Sequence, residues 1–269
     1  MYYYSLLSSR ETSAGACGQR GVGLTVALVL AGAVLAQSAP TNSTPATRAE
    51  AIYRQARQEQ PTQTTSAEAA WQFARACFDW AEFATNDTQR AALAEQGIKA
   101  SRAALTLNSN SAPAHFYLAM NLGQLARTKS LGALRLVGEM EESFKSAIRL
   151  DETFYHAGPD RNLGQLYFQA PSIGSVGSRR KARIHLSRAL ELAPDYPENR
   201  LNWIEANLQW REMEIVRREM AALEAGLGRA RAQLSGDDWE AAWADWDERL
   251  QKIRAKLQAP AKTTAPRHW

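Results

Sequence analysis

Apolar residues recur at intervals of three and four along most of the chain, and no stretch alternates with period two between turn signals. That pattern predicts an all-α protein with almost no strand. Thr65-Ser66-Ala67-Glu68 reads as a capping box, with Thr65 as the cap and Glu68 reaching back to it. Trp71, Ala74, Phe78 and Ala81 then place one apolar stripe on the first repeat helix. Asn86-Asp87 interrupts the stripe, and a second helix runs to Leu107. A third opens at Ser111-Ala112-Pro113 and carries Leu118, Leu122 and Leu125 on one face. A fourth spans 131–150 with Leu134, Val137, Phe144 and Ala147, and a short fifth starts at Gly158-Pro159-Asp160. Pro171 to Gly177 is a loop, followed by a sixth helix over 178–192 and a seventh over 197–209.

Three helix ends resemble one another: Ala104-Leu105-Thr106-Leu107, Ala147-Ile148-Arg149-Leu150 and Ala189-Leu190-Glu191-Leu192. Their alanines are 43 and 42 residues apart. Each end is followed by a helix carrying a large apolar residue and a small one, Leu118-Ala119, Leu163-Gly164 and Trp203-Ile204, the last departing in its second residue. This is similar to the tetratricopeptide repeat, which wants L-G-x2-Y in its first helix, A-x3-F in its second and Pro at the exit. Leu163-Gly164-Gln165-Leu166-Tyr167 matches the first part in full. Ala182, Leu186, Ala189 and Pro194 match the second with Leu for Phe. Met140, Phe144 and Ala147 match it with Met in place of the small residue. Small residues let helix backbones approach, and a single pair cannot bury its apolar face alone, so pairs must stack. The expected architecture is a TPR-like helical-hairpin solenoid over 65–210.

Beyond it, Met213, Val216, Met220, Leu223, Leu227, Ala230 and Leu234 step by three and four. So do Trp239, Trp243, Trp246, Leu250, Ile253 and Leu257, after Ser235-Gly236-Asp237-Asp238. Gly236 suits a left-handed helix end and Asp237 or Asp238 a new cap, so 211–258 is expected to be an antiparallel helical hairpin. Its tryptophan stripe reads as core or a subunit contact, which leaves a homo-oligomer open.

The first residues change the picture of where the protein works. Arg10 and Arg20 precede an uncharged apolar run over 21–36 that ends Val34-Leu35-Ala36, which is the pattern of a secretory signal peptide over 1–36. The run is short for a membrane span, so an anchor is the alternative reading and the only route to a membrane. Residues 37–64, rich in Gln, Thr, Ser and Pro, read as a flexible tether with a weak helix around Ala46 to Gln58, and 259–269 as a disordered tail. The net charge of +4 is too small and dispersed to suggest nucleic acid. Cys77 alone remains after position 36, so no internal disulfide can form, and it reads as a small buried apolar residue. Export without disulfides suits the periplasm of a bacterial envelope, or secretion.

Further motifs lie between 111 and 210: Ala114-His115-Phe116-Tyr117-Leu118-Ala119, Ala157-Gly158-Pro159-Asp160-Arg161 running into Leu163-Gly164, Ala170-Pro171, and Leu192-Ala193-Pro194-Asp195-Tyr196-Pro197. This stretch of about 100 residues resembles the T-component (TatT-like) proteins of TRAP transporters and their bacterial periplasmic tetratricopeptide-repeat relatives. The resemblance implies a periplasmic helical solenoid, often trimeric, working beside a substrate-binding protein. Two departures stand against a full match: no lipobox follows the apolar run, and the C-terminal hairpin lacks the family's motifs.

Catalytic patterns are missing. His115, His156, His185 and His268 form no H-x3-H or H-E-x-x-H pair, and no P-loop or dinucleotide fingerprint occurs. No enzyme, no metal and no cofactor is expected. The loop Gly174 to Gly177 followed by Arg179, Arg180, Lys181 and Arg183 could hold an anion on free helix amides. Asp160-Arg161 reads as a ligand clamp or as a structural ion pair fixing the turn. The candidate ligand-binding residues are therefore Asp160, Arg161, Arg179 and Arg180. The expected function is an exported scaffold or binding module whose concave face grips an unidentified protein or peptide partner. The alternative is a TRAP-associated component handling a small acidic solute.

Overall fold

A computed structural model describes residues 43–59, 66–129 and 132–258, and every regular element among them is helical. Ten α-helices follow in order: α1 (Pro45–Glu59), α2 (Ala67–Glu82), α3 (Asp87–Leu107), α4 (Ala112–Arg127), α5 (Ala133–Leu150), α6 (Phe154–Gln169), α7 (Arg179–Leu192), α8 (Pro197–Gln209), α9 (Met213–Gln233) and α10 (Glu240–Gln258). A 3-10 turn, Asp237–Trp239, precedes α10. Helices α2/α3, α4/α5, α6/α7 and α8/α9 pack as hairpins, and the second helix of each of the first three lies on the first helix of the next. The first helices α2, α4, α6, α8 and α10 also touch in sequence, forming one continuous inner layer. This is the TPR-like stack the sequence pattern implies.

Side-chain caps open four of these helices. Ser66, Asn86, Ser111 and Ser178 each accept a hydrogen bond from the amide three residues on, satisfying a donor the helix leaves free. The cap of α2 is thus Ser66, one residue later than the capping box predicts. Glu68 does not reach back; it accepts from the Trp71 indole and the Gln72 amide. Helix α6 begins four residues earlier than expected, because Tyr155, His156 and Ala157 form a left-handed turn with φ of 50°, 56° and 59°. Regular right-handed helix begins at Gly158-Pro159, as the motif indicates. Left-handed backbone costs about 1–2 kcal/mol per residue away from glycine. Here the turn seats Tyr155 in the core and turns two carbonyls onto Arg161.

The repeat positions Ala104, Leu118, Ala119, Phe144, Ala147, Leu163, Gly164, Tyr167, Ala182 and Ala189 are all buried. Pro194 is exposed in the turn between α7 and α8. Gly164 packs so closely that an added Cβ would lie 2.9 Å from the Leu186 backbone nitrogen.

At the N-terminal end the helix expected around Ala46 to Gln58 forms, but packed on the array. Residues 45–59 are not a tether: α1 packs on α2, where Tyr53 stacks on Phe73 and donates to Gln96 Oε1. Its Arg48 reaches the Asp237 carbonyl at 2.8 Å and the Glu240 carboxylate at 2.7 Å, so the first and last elements of the array meet. Helices α9 and α10 run antiparallel, in a register marked by the ion pairs Arg231–Asp247 and Arg254–Glu224. The expected signal segment, residues 37–42 and 60–64 of the expected tether, and the tail after 258 lie outside the described residues. No described helix is long and apolar enough to cross a membrane.

Candidate functional site

The four charged residues singled out in the sequence do not form one site. Asp160 and Arg161 are neighbours on α6, both almost fully buried, yet they face different helices. Asp160 receives His185 Nδ1 of α7 at 2.7 Å, with Arg188 Nε at 3.6 Å. Arg161 turns to α8: its Nη1 donates to the His156 carbonyl at 3.1 Å and Asn199 Oδ1 at 3.2 Å, and its Nε lies 3.2 Å from Glu198. The guanidinium also lies over the Tyr196 ring at 4.9 Å. These groups hold α6, α7 and α8 together, while Arg161 Nη2 makes no hydrogen bond to the described residues. The carboxylate paired with Arg161 is that of Glu198 rather than Asp160.

The expected anion cradle before α7 is also occupied from within. The Gly177 amide donates to the Pro171 carbonyl and the Ser178 amide to the Tyr167 carbonyl. The Ser178 hydroxyl caps its own helix. Arg179 is held by Glu212 at 2.6 Å, and Arg183 binds the same carboxylate. Arg180 is exposed on α7, apart from the buried network around Asp160 and Arg161. With these amides and the Arg179 and Arg183 cations satisfied by the chain itself, this loop is a structural joint.

The inner layer offers little open surface near the chain's centre. Asp79, Asn121, Gln124, Asn162, Gln165, Glu198, Asn199 and Asn202 are buried along α2, α4, α6 and α8. Asp79 pairs with Arg75 at 3.4 Å; burial raises its carboxyl to about 7 against the pull of that cation. His156 stacks on Tyr196 at 4.4 Å, with Trp239 edge-on beside both. Burial and the neighbouring Arg161 push this imidazole down to about 4, so it is neutral at ordinary pH. These buried side chains of α2, α4, α6 and α8 pack against the chain itself. Cys77 is buried, as expected of a small apolar residue, and burial raises its thiol.

Open volume lies instead at the loop ends of the first three hairpins. A cavity of about 410 Å³ is bounded by Phe78 of α2, Met120 and Gly123 of α4, Val137, Met140 and Phe144 of α5, and Leu166 of α6. That size is within the usual range for small-ligand pockets, roughly 300–1,000 Å³. Its walls are mostly apolar, and Glu82, Gln124, Arg127, Asn162 and Gln169 are the main polar residues among them. The Gln124 amide donates to Glu82, and Arg127 Nη1 lies 3.5 Å from the same carboxylate. Burial pushes Glu82 up to about 7, with Arg127 and the Gln124 hydrogen bond pulling the other way. Leu134 lines the mouth and is 61% exposed. Pro171 and Ser175 also line it, from the loop that carries Ile173, which is 92% exposed.

Sequence reasoning missed this cavity, although one signal was present. Met140 stands where the repeat wants a small residue, and Gly123 faces it, an added Cβ lying 3.1 Å from the Met140 methyl. A flexible thioether set against a glycine departs from the small-residue pattern of the repeat at this junction. Among the described residues no group of three or more His, Cys, Asp or Glu is placed to hold a metal.

Comparison with known proteins adds the following. Residues 34–157 match the family model described as regulator of microtubule dynamics protein 1-3. That stretch is under half of the chain. No curated protein matches the sequence. Among solved structures, a thermophilic TPR protein from Thermus thermophilus superposes with a TM-score of 0.48 at 19% identity, over 76% of this chain and 87% of that one.

Proposed function

We propose that the protein is a non-catalytic, TPR-type binding scaffold that holds a partner by seating a large apolar side chain of it in the cavity between α2, α4, α5 and α6. One observation carries this reading: an open, largely apolar cavity whose lining also includes hydrogen-bonding groups. An extended segment offers both a backbone donor and an acceptor beside its side chain. Gln169 can accept from such a segment and Arg127 can donate to it. The exposed Leu134 and Ile173 extend the apolar surface beyond the mouth. The match of residues 34–157 to a helical family named for regulators of microtubule dynamics supports an interaction module, and we carry nothing more specific from it.

The test is selection of peptides from a random library on the purified chain. Enriched peptides should share a large apolar residue, and Ala126→Phe, which fills the cavity from its wall, should abolish their binding. Equal binding to the filled variant would reject the cavity as the site. A second reading, a T-component handling a small acidic solute, draws on Arg127 in the lining of the same cavity. It requires tight binding of a free carboxylate and a closed oligomer by light scattering; a monomer would discard it. We also propose export through residues 1–36, for which recovery of a shortened chain in the periplasmic fraction is the check.

A further inference from the structure

We propose that filling the cavity with a neutral apolar group is coupled to proton uptake at Glu82, so that the module grips its ligand more tightly in mildly acid than in mildly alkaline solution. The inference rests on the cavity being the binding site. Glu82 is the last residue of α2, at the helix end where backbone carbonyls disfavour a negative charge. Its side chain is 10% exposed and lies in the cavity wall near Phe78.

The groups facing it come from every neighbouring element. From α4, the Gln124 amide donates to one carboxylate oxygen and Arg127 stands at 3.5 Å. Arg127 is one-third exposed and also donates to Gln124 Oε1 at 3.2 Å, so it is shared rather than dedicated. From α3, Arg90 contributes a weaker attraction, and on α2 itself Asp79 a weak repulsion while paired with Arg75. Helix α5 presents apolar Val137, Met140 and Phe144, and α6 the neutral amides of Asn162 and Gln169.

An open cavity lets solvent reach this carboxylate, whereas an apolar occupant removes that solvation and offers nothing in return. Desolvation disfavours the charged form, so occupancy raises the affinity of Glu82 for a proton. Reciprocity then requires that the proton raise the affinity for the occupant by the same factor. Burial already holds the group near 7 in the unliganded chain, which puts the swing within the ordinary pH range.

The experiment titrates the whole chain with N-phenyl-1-naphthylamine, a neutral apolar fluorophore, between about pH 5.5 and 8.5. A one-unit change in proton affinity gives a tenfold limit, so the wild-type Kd should rise about five- to tenfold across this range. Glu82→Gln should bind at every pH with the low-pH affinity of the wild type. Asp79→Asn should keep the wild-type slope, and Arg127→Gln should move the swing to higher pH. Circular dichroism of each variant establishes that it is folded. A flat wild-type titration, or a slope that survives in Glu82→Gln, overturns the coupling while leaving the cavity as a site. A probe that binds at no pH, or that binds Ala126→Phe as well as wild type, overturns the cavity reading and this inference with it.

Discussion

The stack from α2 to α7 and the C-terminal α9/α10 pair solve the same packing problem in opposite ways. In the stack, helices meet through small residues. Gly97 leaves room for Asn121, whose Oδ1 would sit 2.2 Å from an added Cβ, and Gly164 leaves room for Leu186. The space won at Gly97 is used at once: Asn121 donates to the Ala74 and Tyr117 carbonyls and ties α2 to α4. In the C-terminal pair, Gly226 and Gly228 face nothing within 4 Å. There the gap is filled by Trp239, Trp243 and Trp246, with Trp243 Nε1 donating to the Leu234 carbonyl at 2.6 Å and Trp246 edge-on to Tyr196. Close packing makes position decisive, while packing through indoles leaves separation to the volume of a few large side chains.

The sharpest way to break that contrast is Gly164→Leu. A branched side chain cannot enter where a single Cβ already meets the α7 backbone. Overpacking typically costs about 1–3 kcal/mol per misfit, and one aimed at backbone falls above that range, so loss of cooperative unfolding by circular dichroism is expected. Next comes Trp246→Ala. Removing a fully buried indole from the C-terminal cluster should cost about 3–5 kcal/mol in urea unfolding, with α9 and α10 losing amide-exchange protection before the stack does. Simultaneous loss everywhere would show that the two regions are one cooperative unit.

A smaller effect is expected from Arg231→Ala. The Arg231–Asp247 pair, at 2.5 Å, is about half exposed, though the guanidinium also lies 4.1 Å over the Trp243 ring. A loss of about 1 kcal/mol, partly insensitive to salt, would separate ring stacking from charge pairing.

Much of this was legible in advance because it depends on spacing alone. The alanines 104, 147 and 189 mark equivalent buried contacts in successive hairpins, and Leu163-Gly164 by itself marks a close crossing. The tryptophan stripe belonged to the core, as its spacing implied. The site residues were harder. Asp160 and Arg161 read as a clamp or a mutual ion pair and Arg179 as part of an anion loop, yet each has a partner 25 to 38 positions away: His185, Asn199 and Glu212. No local pattern reveals such partners. Helix α1 was underestimated for a related reason, since its polar composition hides Ala49 and Tyr53, the two residues that bury it.

By itself the sequence determined the helical class, the repeat register and the order of the hairpins, because three-and-four spacing and small residues act over short range. Only the tertiary structure decided which charges are spent on holding helices together, that Arg48 meets Asp237 across the array, and that an apolar cavity opens beside Glu82. Those outcomes depend on volumes and distances between segments far apart in the chain, and a linear pattern carries no measure of the space left between them.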